Sequence, residues 1–255
     1  MTWHLSTGDH DSVDMTSNEV GSPFSLRGAV ALVTGANRGI GRAFAAELID
    51  RGATRVYGAA RNPATIHQPG LIPVQLDITD PGQVAAAAER CADVTVLINN
   101  AGVFSRLPLL GAPSMEDVRA EMETNFFGPL AVMRAFAPVL GRNGGGAIVN
   151  ALSILSFLSY APWGSYSASK AAAWSMTNSA RDELALQGTQ VVGVHSAFVD
   201  TDMTIGVEGP KIAPEVFVAE ALDALEAGRL EALADEQTRA WKGMLSDYPN
   251  KQPVI

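Results

Sequence analysis

The chain has 255 residues, 47% of them hydrophobic, enough to bury the core of one large α/β domain or two small ones, with one as the simpler expectation. A formal net charge of -9 and a pI near 4.9 argue against a nucleic-acid partner, because phosphate backbones demand clustered lysine and arginine, and point to a small molecule instead. Cys91 is the only cysteine, which excludes an intramolecular disulfide and suits a reducing compartment. No apolar run reaches the roughly 18 residues a membrane span needs, and no basic segment leads into an apolar one at the start, so a soluble, cytoplasmic protein is expected.

Residues 1–27 carry Asp9, Asp11, Asp14 and Glu19 among Ser, Thr and Gly with no sustained apolar period, the composition of a flexible tail ahead of a folded domain at 28–255. The three aspartates lack the glycine and terminal glutamate of a calcium loop, so they are expected to be solvated. From Ala29 on, short apolar runs alternate with longer helical patterns, the signature of βαβ units feeding a parallel sheet. Strands are predicted at 29–33, 54–59, 72–76, 94–98, 146–151, 190–195 and 230–234, and helices at 39–51, 81–92, 115–141 with a break, 165–187 and 214–227. Ile40, Phe44 and Leu48 fall four apart and form one stripe for the sheet. Asp80-Pro81 is a helix-opening pair.

Ala29-Val30-Ala31-Leu32-Val33 reads as a buried strand, and Thr34-Gly35-Ala36-Asn37-Arg38-Gly39-Ile40-Gly41 leads straight from it into a helix. Glycines permit positive φ and close approach of a pyrophosphate, while free N–H groups and the helix dipole favour its charge. The spacing G-x-x-x-G-x-G differs from the commoner dinucleotide fingerprint, so on these residues alone a purely structural turn stays open. NAD binders usually place an acid about 20 residues past the turn to hold the ribose 2′-hydroxyl. Here the count lands on Arg61, no Asp or Glu lies between Asp50 and Asp77, and Arg38 sits in the turn. A 2′-phosphate would meet two guanidiniums and no repelling carboxylate, which predicts NADP(H) over NAD(H); the alternative is that Arg61 is a solvated loop cation.

Tyr166 and Lys170 lie four apart near the start of the helix predicted at 165–187, so their Cβ atoms fall about 5–6 Å apart on one face. A phenol titrates near ~10 and exchanges protons poorly at neutral pH. A cation ~4 Å away, in an effective dielectric of ~20, would lower it by about 4 kcal/mol, or roughly three pKa units. Ser153 follows the strand-like Ala147-Ile148-Val149-Asn150, at the sheet end where ligands bind; its hydroxyl either meets a substrate oxygen or belongs to a turn.

Together these residues resemble the short-chain dehydrogenase/reductase family from 28 to about 240. Beside the Thr-Gly-x-x-x-Gly-Ile-Gly turn stand Asn99-Asn100-Ala101-Gly102 after a strand, Asn125 in a helix, Ser153, and Tyr166-Ser167-Ala168-Ser169-Lys170, all in the family's order. The resemblance implies one α/β domain, a Rossmann-like, doubly wound parallel sheet of about seven strands with helices on both faces, and an NADP-preferring carbonyl reductase. It implies that Tyr166 is the general acid, that Ser153 orients the carbonyl, that Lys170 tunes Tyr166 and holds the nicotinamide ribose, and that Asn125 supports a water relay. The cofactor would rest on Gly35, Asn37, Arg38, Gly39, Ile40 and Gly41, on Arg61, and on Asp77, at the position contacting adenine, with its neighbour Ile78. Asn99, Ala101 and Gly102 would line it further, and Val199 and Thr201 would lie towards the nicotinamide carboxamide. The chain departs from the family where the usual Pro-Gly before Val-x-Thr is Ser196-Ala197. Proline fixes φ and glycine frees it, so this loop is expected to be reshaped or more mobile.

Phe104, Leu107, Ile154, Leu155, Phe157, Tyr160, Trp163, Phe198 and Met203 fall where the family places its substrate. Phe104, Leu155, Tyr160, Trp163, Phe198 and Met203 either wall a pocket for a hydrophobic or aryl ketone or aldehyde, or fill core or a subunit interface. The short stretch from Thr201 to Pro214 predicts an open pocket with little lid. His195 reads as a structural strand residue and His67 offers no metal cluster, so no metal is expected. The predicted helix 165–187 carries small and apolar residues such as Ala171, Ala172 and Met176, and similar proteins pair it across an interface, implying a homodimer or homotetramer. Two rival readings are a non-redox member of the family (an epimerase, dehydratase or lyase) and a nucleotide-sensing protein, which usually loses the tyrosine or lysine kept here.

Overall fold

The computed structural model describes residues 23–247. Asp9, Asp11, Asp14 and Glu19, with most of the proposed tail, lie outside the described residues. Just before residue 28, Leu26 is fully buried and Phe24 packs against the same core.

The seven apolar runs form seven strands: β1 (Val30–Thr34), β2 (Arg55–Ala60), β3 (Leu71–Gln75), β4 (Val96–Asn99), β5 (Ala147–Ala151), β6 (Gln190–His195) and β7 (Glu231–Leu233). All pair in parallel in one sheet ordered β3-β2-β1-β4-β5-β6-β7. Successive residues of a strand point to opposite faces. Ala31 and Val33 therefore pack with Phe44 and Leu48 of α1 (Gly39–Asp50) and with Phe217 and Leu222 of α6 (Pro214–Glu226). Leu32 packs instead with Val84 of α2 (Pro81–Arg90), Phe136 and Leu140 of α4 (Gly128–Arg142) and Met176 of α5 (Gly164–Ala185). Burial on both faces is why the central strands β1, β4 and β5 read as apolar runs.

The chain leaves β1 towards β2 and β3, then returns to place β4 on the other side of β1, so the order reverses there. Such a reversal opens a crevice at the carboxyl ends of the strands, the place where open α/β sheets bind ligands. Helix termini follow the expected chemistry at α2, where the Asp80 carboxylate accepts from Gly82 N and Gln83 N at 2.8 and 3.1 Å and Pro81 opens the helix. The broken helix is α3 (Met115–Met122), a π turn at Glu123–Phe127, and α4. Pro129 has no N–H, so the α-helical bond that would return to the Asn125 carbonyl cannot form. One helix had no sequence prediction, α7 (Glu236–Gly243), whose N-cap Asp235 accepts from Thr238 N at 2.8 Å. No helix among the described residues is long and apolar enough to cross a membrane.

Candidate active site

The turn after β1 is built by its glycines. Gly35 and Gly39 take φ of 67° and 51°, a region L side chains avoid. Gly41 needs its missing side chain for a different reason: a Cβ there would lie 2.1 Å from the Gly35 carbonyl oxygen. Arg38, the N-cap of α1, places no side-chain acceptor on the first-turn N–H groups, which face the cleft as donors to an anion. Thr34 Oγ1 accepts from both Asn100 N and Ala101 N at 3.0 Å, and Asn100 Nδ2 donates to Thr34 O at 2.9 Å, locking the turn to the loop after β4.

A cleft of about 560 Å³ opens at this point. It brings together Gly35, Asn37, Arg38, Gly39 and Ile40 of the turn, Arg61 after β2, and Asp77 and Ile78 after β3. Ala101, Gly102, Val199, Thr201 and Met203 line it further along, and Ser153, Tyr166 and Lys170 complete it. Gly41 lies behind the wall it makes possible. Asn99 does not reach the cleft: its Nδ2 donates to Asn150 Oδ1 at 2.9 Å, and Asn150 Nδ2 donates to Thr177 Oγ1 at 2.9 Å, all buried in the sheet–helix layer. The neighbouring Asn100 lines the cleft in its place, because adjacent residues leaving a strand face opposite ways.

The expectation that a 2′-phosphate would meet no carboxylate needs correction. Asp202, 164 positions from Arg38, places Oδ2 3.2 Å from Arg38 Nη1 and lines the cleft beside it. The stretch after Thr201 is tied to both walls of the cleft. Its short helical turn, Asp202–Thr204, is tied to Arg38 on one wall. On the other, Arg106 donates to Met203 O and Ile205 O at 3.0 and 2.7 Å. Arg106 is the one non-glycine with positive φ among the described residues, at 56°, and its guanidinium lies 5.3 Å from the Phe104 ring centroid. Ser196 and Ala197 are anchored as well, with Ile154 N donating to Ser196 O and Ala197 N to Asp235 Oδ2, each at 2.8 Å.

Ser153 lies two residues beyond β5, is buried, and caps a helical turn by accepting from Leu155 N at 3.1 Å. A hydroxyl that accepts from the backbone must direct its own hydrogen elsewhere, here towards Tyr166 and the cleft. Tyr166 is partly buried on the first turn of α5, and Lys170 one turn later is buried. Lys170 Nζ donates to Ala151 O at 2.9 Å and lies 5.7 Å from the Tyr166 ring centroid. The expected fall in the phenol's pKa is accordingly reversed. Burial pushes Tyr166 well above its ordinary value and the Glu121 charge adds to this, with only the Ser153 hydroxyl drawing it down. Burial brings Lys170 down to about 8 against the opposing pull of Glu121.

Asn125 does not line the cleft. Its Oδ1 accepts from Val103 N, and its Nδ2 donates to Val103 O and Ser169 Oγ, at 2.9, 2.9 and 3.0 Å. Its side chain therefore clamps the loop after β4, with both Nδ2 hydrogens committed. Glu121 on α3 was missed: it is fully buried, Oε1 accepts from Ser105 N at 2.8 Å, and Oε2 has no partner among the described residues. A lone glutamate in an amphipathic segment carries no signal of this. Of the proposed substrate wall, Met203 lines the open cleft, whereas Phe104, Tyr160, Trp163 and Phe198 stack on one another and on Tyr166. Leu155 is buried with Ile154 and Leu158 beneath that cluster, against which Trp241 and Leu245 from the C-terminal segment pack. Among the described residues no three His, Cys, Asp or Glu side chains gather as metal ligands.

Sheet order, glycine turn and the Ser153, Tyr166, Lys170 cluster define a dinucleotide-dependent oxidoreductase of the doubly wound α/β class. The family model for short chain dehydrogenases matches residues 29–210, and the chain belongs to that family. A short-chain dehydrogenase from Burkholderia cenocepacia J2315, solved in complex with NADP, is 43% identical, with a TM-score of 0.85 over 89% of this chain and 96% of that one. A relative from Burkholderia phymatum solved with NAD is 25% identical, with a TM-score of 0.79 over 91% and 99% of the two chains. The 3-oxoacyl-acyl-carrier-protein reductase of Vibrio cholerae is 34% identical over 71% of this chain and 77% of its own length. The short chain dehydrogenase tazN of Aspergillus terreus is 31% identical over 76% of this chain, a match that spans 46% of that relative. The cradle fits the NAD(P)(H) used by this family.

Proposed function

We propose that the chain reduces a ketone or aldehyde with a hydrophobic or aryl substituent to the alcohol, using NADPH. The observation that carries this reading is the meeting, at one cleft wall, of a phenol and a serine hydroxyl whose hydrogen is free to donate. When bound, the reduced cofactor supplies a hydride to the carbonyl carbon. As the carbon–oxygen π pair moves onto oxygen, Ser153 Oγ donates a hydrogen bond to it and Tyr166 transfers its proton. The alcohol formed is about as weak an acid as water, near ~16, so even a phenol raised by burial gives up its proton downhill. Lys170, charged below about 8, holds the ribose and compensates the phenolate left behind. Asn125 and Asn100 keep the loop after β4 in register with the turn.

Arg38 and Arg61 on the same rim favour the phosphate-bearing cofactor, in keeping with the NADP complex of the 43%-identical relative. The aromatic cluster of Phe104, Tyr160, Trp163 and Phe198 beside Tyr166 favours a flat apolar substituent over a polyol. A groove of about 440 Å³ between α4 and α5, lined by Phe126, Leu130, Met133 and Met176, supports pairing of two copies through these helices. The test follows NADPH and NADH absorbance against acetophenone, cyclohexanone and an acetoacetyl thioester, with Tyr166→Phe as control. Turnover with NADPH that Tyr166→Phe abolishes is expected. Full activity in that variant, or substrate conversion with no net NADPH consumed, would sink the proposal.

A further inference from the structure

His195 ends β6 beneath the site and is fully buried. Its Nδ1 lies 2.9 Å from the backbone carbonyl oxygen of Ser153. A carbonyl only accepts, so Nδ1 carries the hydrogen. At the opposite edge of the ring, Nε2 stands 3.3 Å from Glu231 Oε1 of β7 without a hydrogen bond, and that oxygen accepts instead from Lys242 Nζ of α7 at 2.8 Å. The Lys242 ammonium lies 4.9 and 4.4 Å from the ring centroids of Phe157 and Trp174, and those rings flank the imidazole at 5.2 and 6.0 Å. Burial pushes the Glu231 carboxyl up, yet His195 and Lys242 outweigh it and bring it down to about 2. The imidazole thus meets Ser153 through Nδ1 and is flanked by two rings that the Lys242 ammonium of α7 covers.

Packing alone does not call for an imidazole here. Val192 and Val194 in the same strand fill their sites with apolar bulk, and a buried ring with two polar atoms is unfavourable unless it is partnered. The partner chosen is the catalytic-loop carbonyl. Ser153 O also accepts from Ser156 N at 2.9 Å, so two donors from different elements fix the plane of that peptide, and with it the direction in which Ser153 Cβ leaves the backbone.

We propose that His195 is a positioning residue for Ser153, donating from Nδ1 to its carbonyl, and that α7 keeps the imidazole in place through Lys242, which packs over the Phe157 and Trp174 rings beside it. The inference rests on the reading of Ser153 as the hydroxyl that orients the substrate carbonyl. It makes the C-terminal helix, which lies outside the cleft, part of what sets the serine's aim.

Four variants of the full chain test it: His195→Leu, His195→Asn, Lys242→Met and Ser153→Ala. Asparagine places an amide N–H near the position of Nδ1, whereas leucine keeps bulk and removes the donor. With NADPH and whichever of the panel carbonyls the unaltered chain reduces fastest, kcat of His195→Leu should fall about 10- to 100-fold, the usual effect of a misplacement of roughly an ångström, with KM for NADPH unchanged. His195→Asn should return to within about 5-fold of the unaltered chain, as one restored donor does. Independently of any substrate, amide hydrogen exchange over residues 151–157 should quicken in His195→Leu and Lys242→Met and stay slow in His195→Asn. A His195→Leu enzyme within twofold of normal, or asparagine no better than leucine, would overturn the proposal. If His195→Leu does not fold, Lys242→Met decides, since its half-buried side chain can be replaced without opening the core: unchanged exchange at 151–157 refutes, faster exchange supports. Full activity in Ser153→Ala would remove the reading of Ser153 itself, whereas an inactive Ser153→Ala beside an active His195→Leu removes only the role of His195.

Discussion

Replacing Asp202 with asparagine separates the two acids that compete for Arg38, the aspartate and the 2′-phosphate of the cofactor. Arg38 Nη1 and Asp202 Oδ2 are 3.2 Å apart, and 68% and 65% of the two side chains is exposed. Ion pairs this exposed contribute ~0.2–1 kcal/mol. If the phosphate takes Arg38, the pair must open first, so NADPH binds more weakly by that amount than it would to an unpaired guanidinium. Asp202→Asn should therefore tighten NADPH by about 1.4- to 5-fold, and removing a carboxylate beside a phosphate acts in the same direction. NADH has no 2′-phosphate, so its affinity should stay unchanged. Titration of both cofactors by nicotinamide fluorescence measures the two Kd values directly. The gain should shrink as salt is raised, because exposed charges are screened. Equal tightening of NADPH and NADH, or looser NADPH, would show that Arg38 is not the phosphate's partner.

Arg61→Asp should weaken NADPH by roughly 10- to 150-fold, the range of a hydrogen bond to a charged group at ~1.5–3 kcal/mol, and improve NADH; an unchanged ratio of kcat/KM would count against the rim assignment. Gly41→Ala forces a Cβ to 2.1 Å from the Gly35 carbonyl oxygen and should destabilise the chain by about 1–3 kcal/mol, lowering Tm by ~2–4 °C per kcal/mol in a thermal melt. A Tm within error of normal would mean the turn yields freely. Lys170 is lowered from 10.5 to about 8, so its charge is present below about 8 and lost above it. kcat/KM should fall as pH rises through about 8. Stability should move the other way across 8 to 10.5, because there the unfolded chain binds a proton that the folded chain does not. A flat rate profile from pH 7 to 10 would refute the role of that charge.

What the sequence shows well is what lies close together along it. The central strands β1, β4 and β5 were legible because they are buried on both faces and read as apolar runs, whereas the edge strands β3 and β7 carry exposed or half-buried positions and were marked by shorter apolar stretches. The glycine turn is legible because strand, turn and helix are contiguous, and Tyr166 with Lys170 because one helical turn separates them. Helix α7 escaped because Thr238 is its one buried residue, leaving no apolar period to detect; only the capping Asp235 marks it. The substrate wall was half legible. The aromatic residues named from the sequence do gather in space, but which of them face open space depends on how Phe104, Tyr160, Trp163 and Phe198 stack on each other, and no spacing rule reports that.

Electrostatics escaped for a sharper reason. Charges that matter to one another here are far apart in the chain: Asp202 meets Arg38 across 164 positions, and Glu121 acts on Tyr166 from another helix. The sign of the Tyr166 shift turns on the same point. Spacing puts the Lys170 and Tyr166 Cβ atoms on one face, but it does not place the ammonium, which is drawn to the Ala151 carbonyl 2.9 Å away. A Coulomb gain of about 4 kcal/mol needs a separation of ~4 Å, and it falls off with distance while the loss of hydration on burial does not. Once the cation is held at Ala151, burial decides, and the phenol keeps its proton until an alkoxide forms beside it. A phenol that keeps its proton has one to give to a carbonyl oxygen as it is reduced, and the hydrogen bond that positions Lys170 is part of what leaves burial in control of that proton.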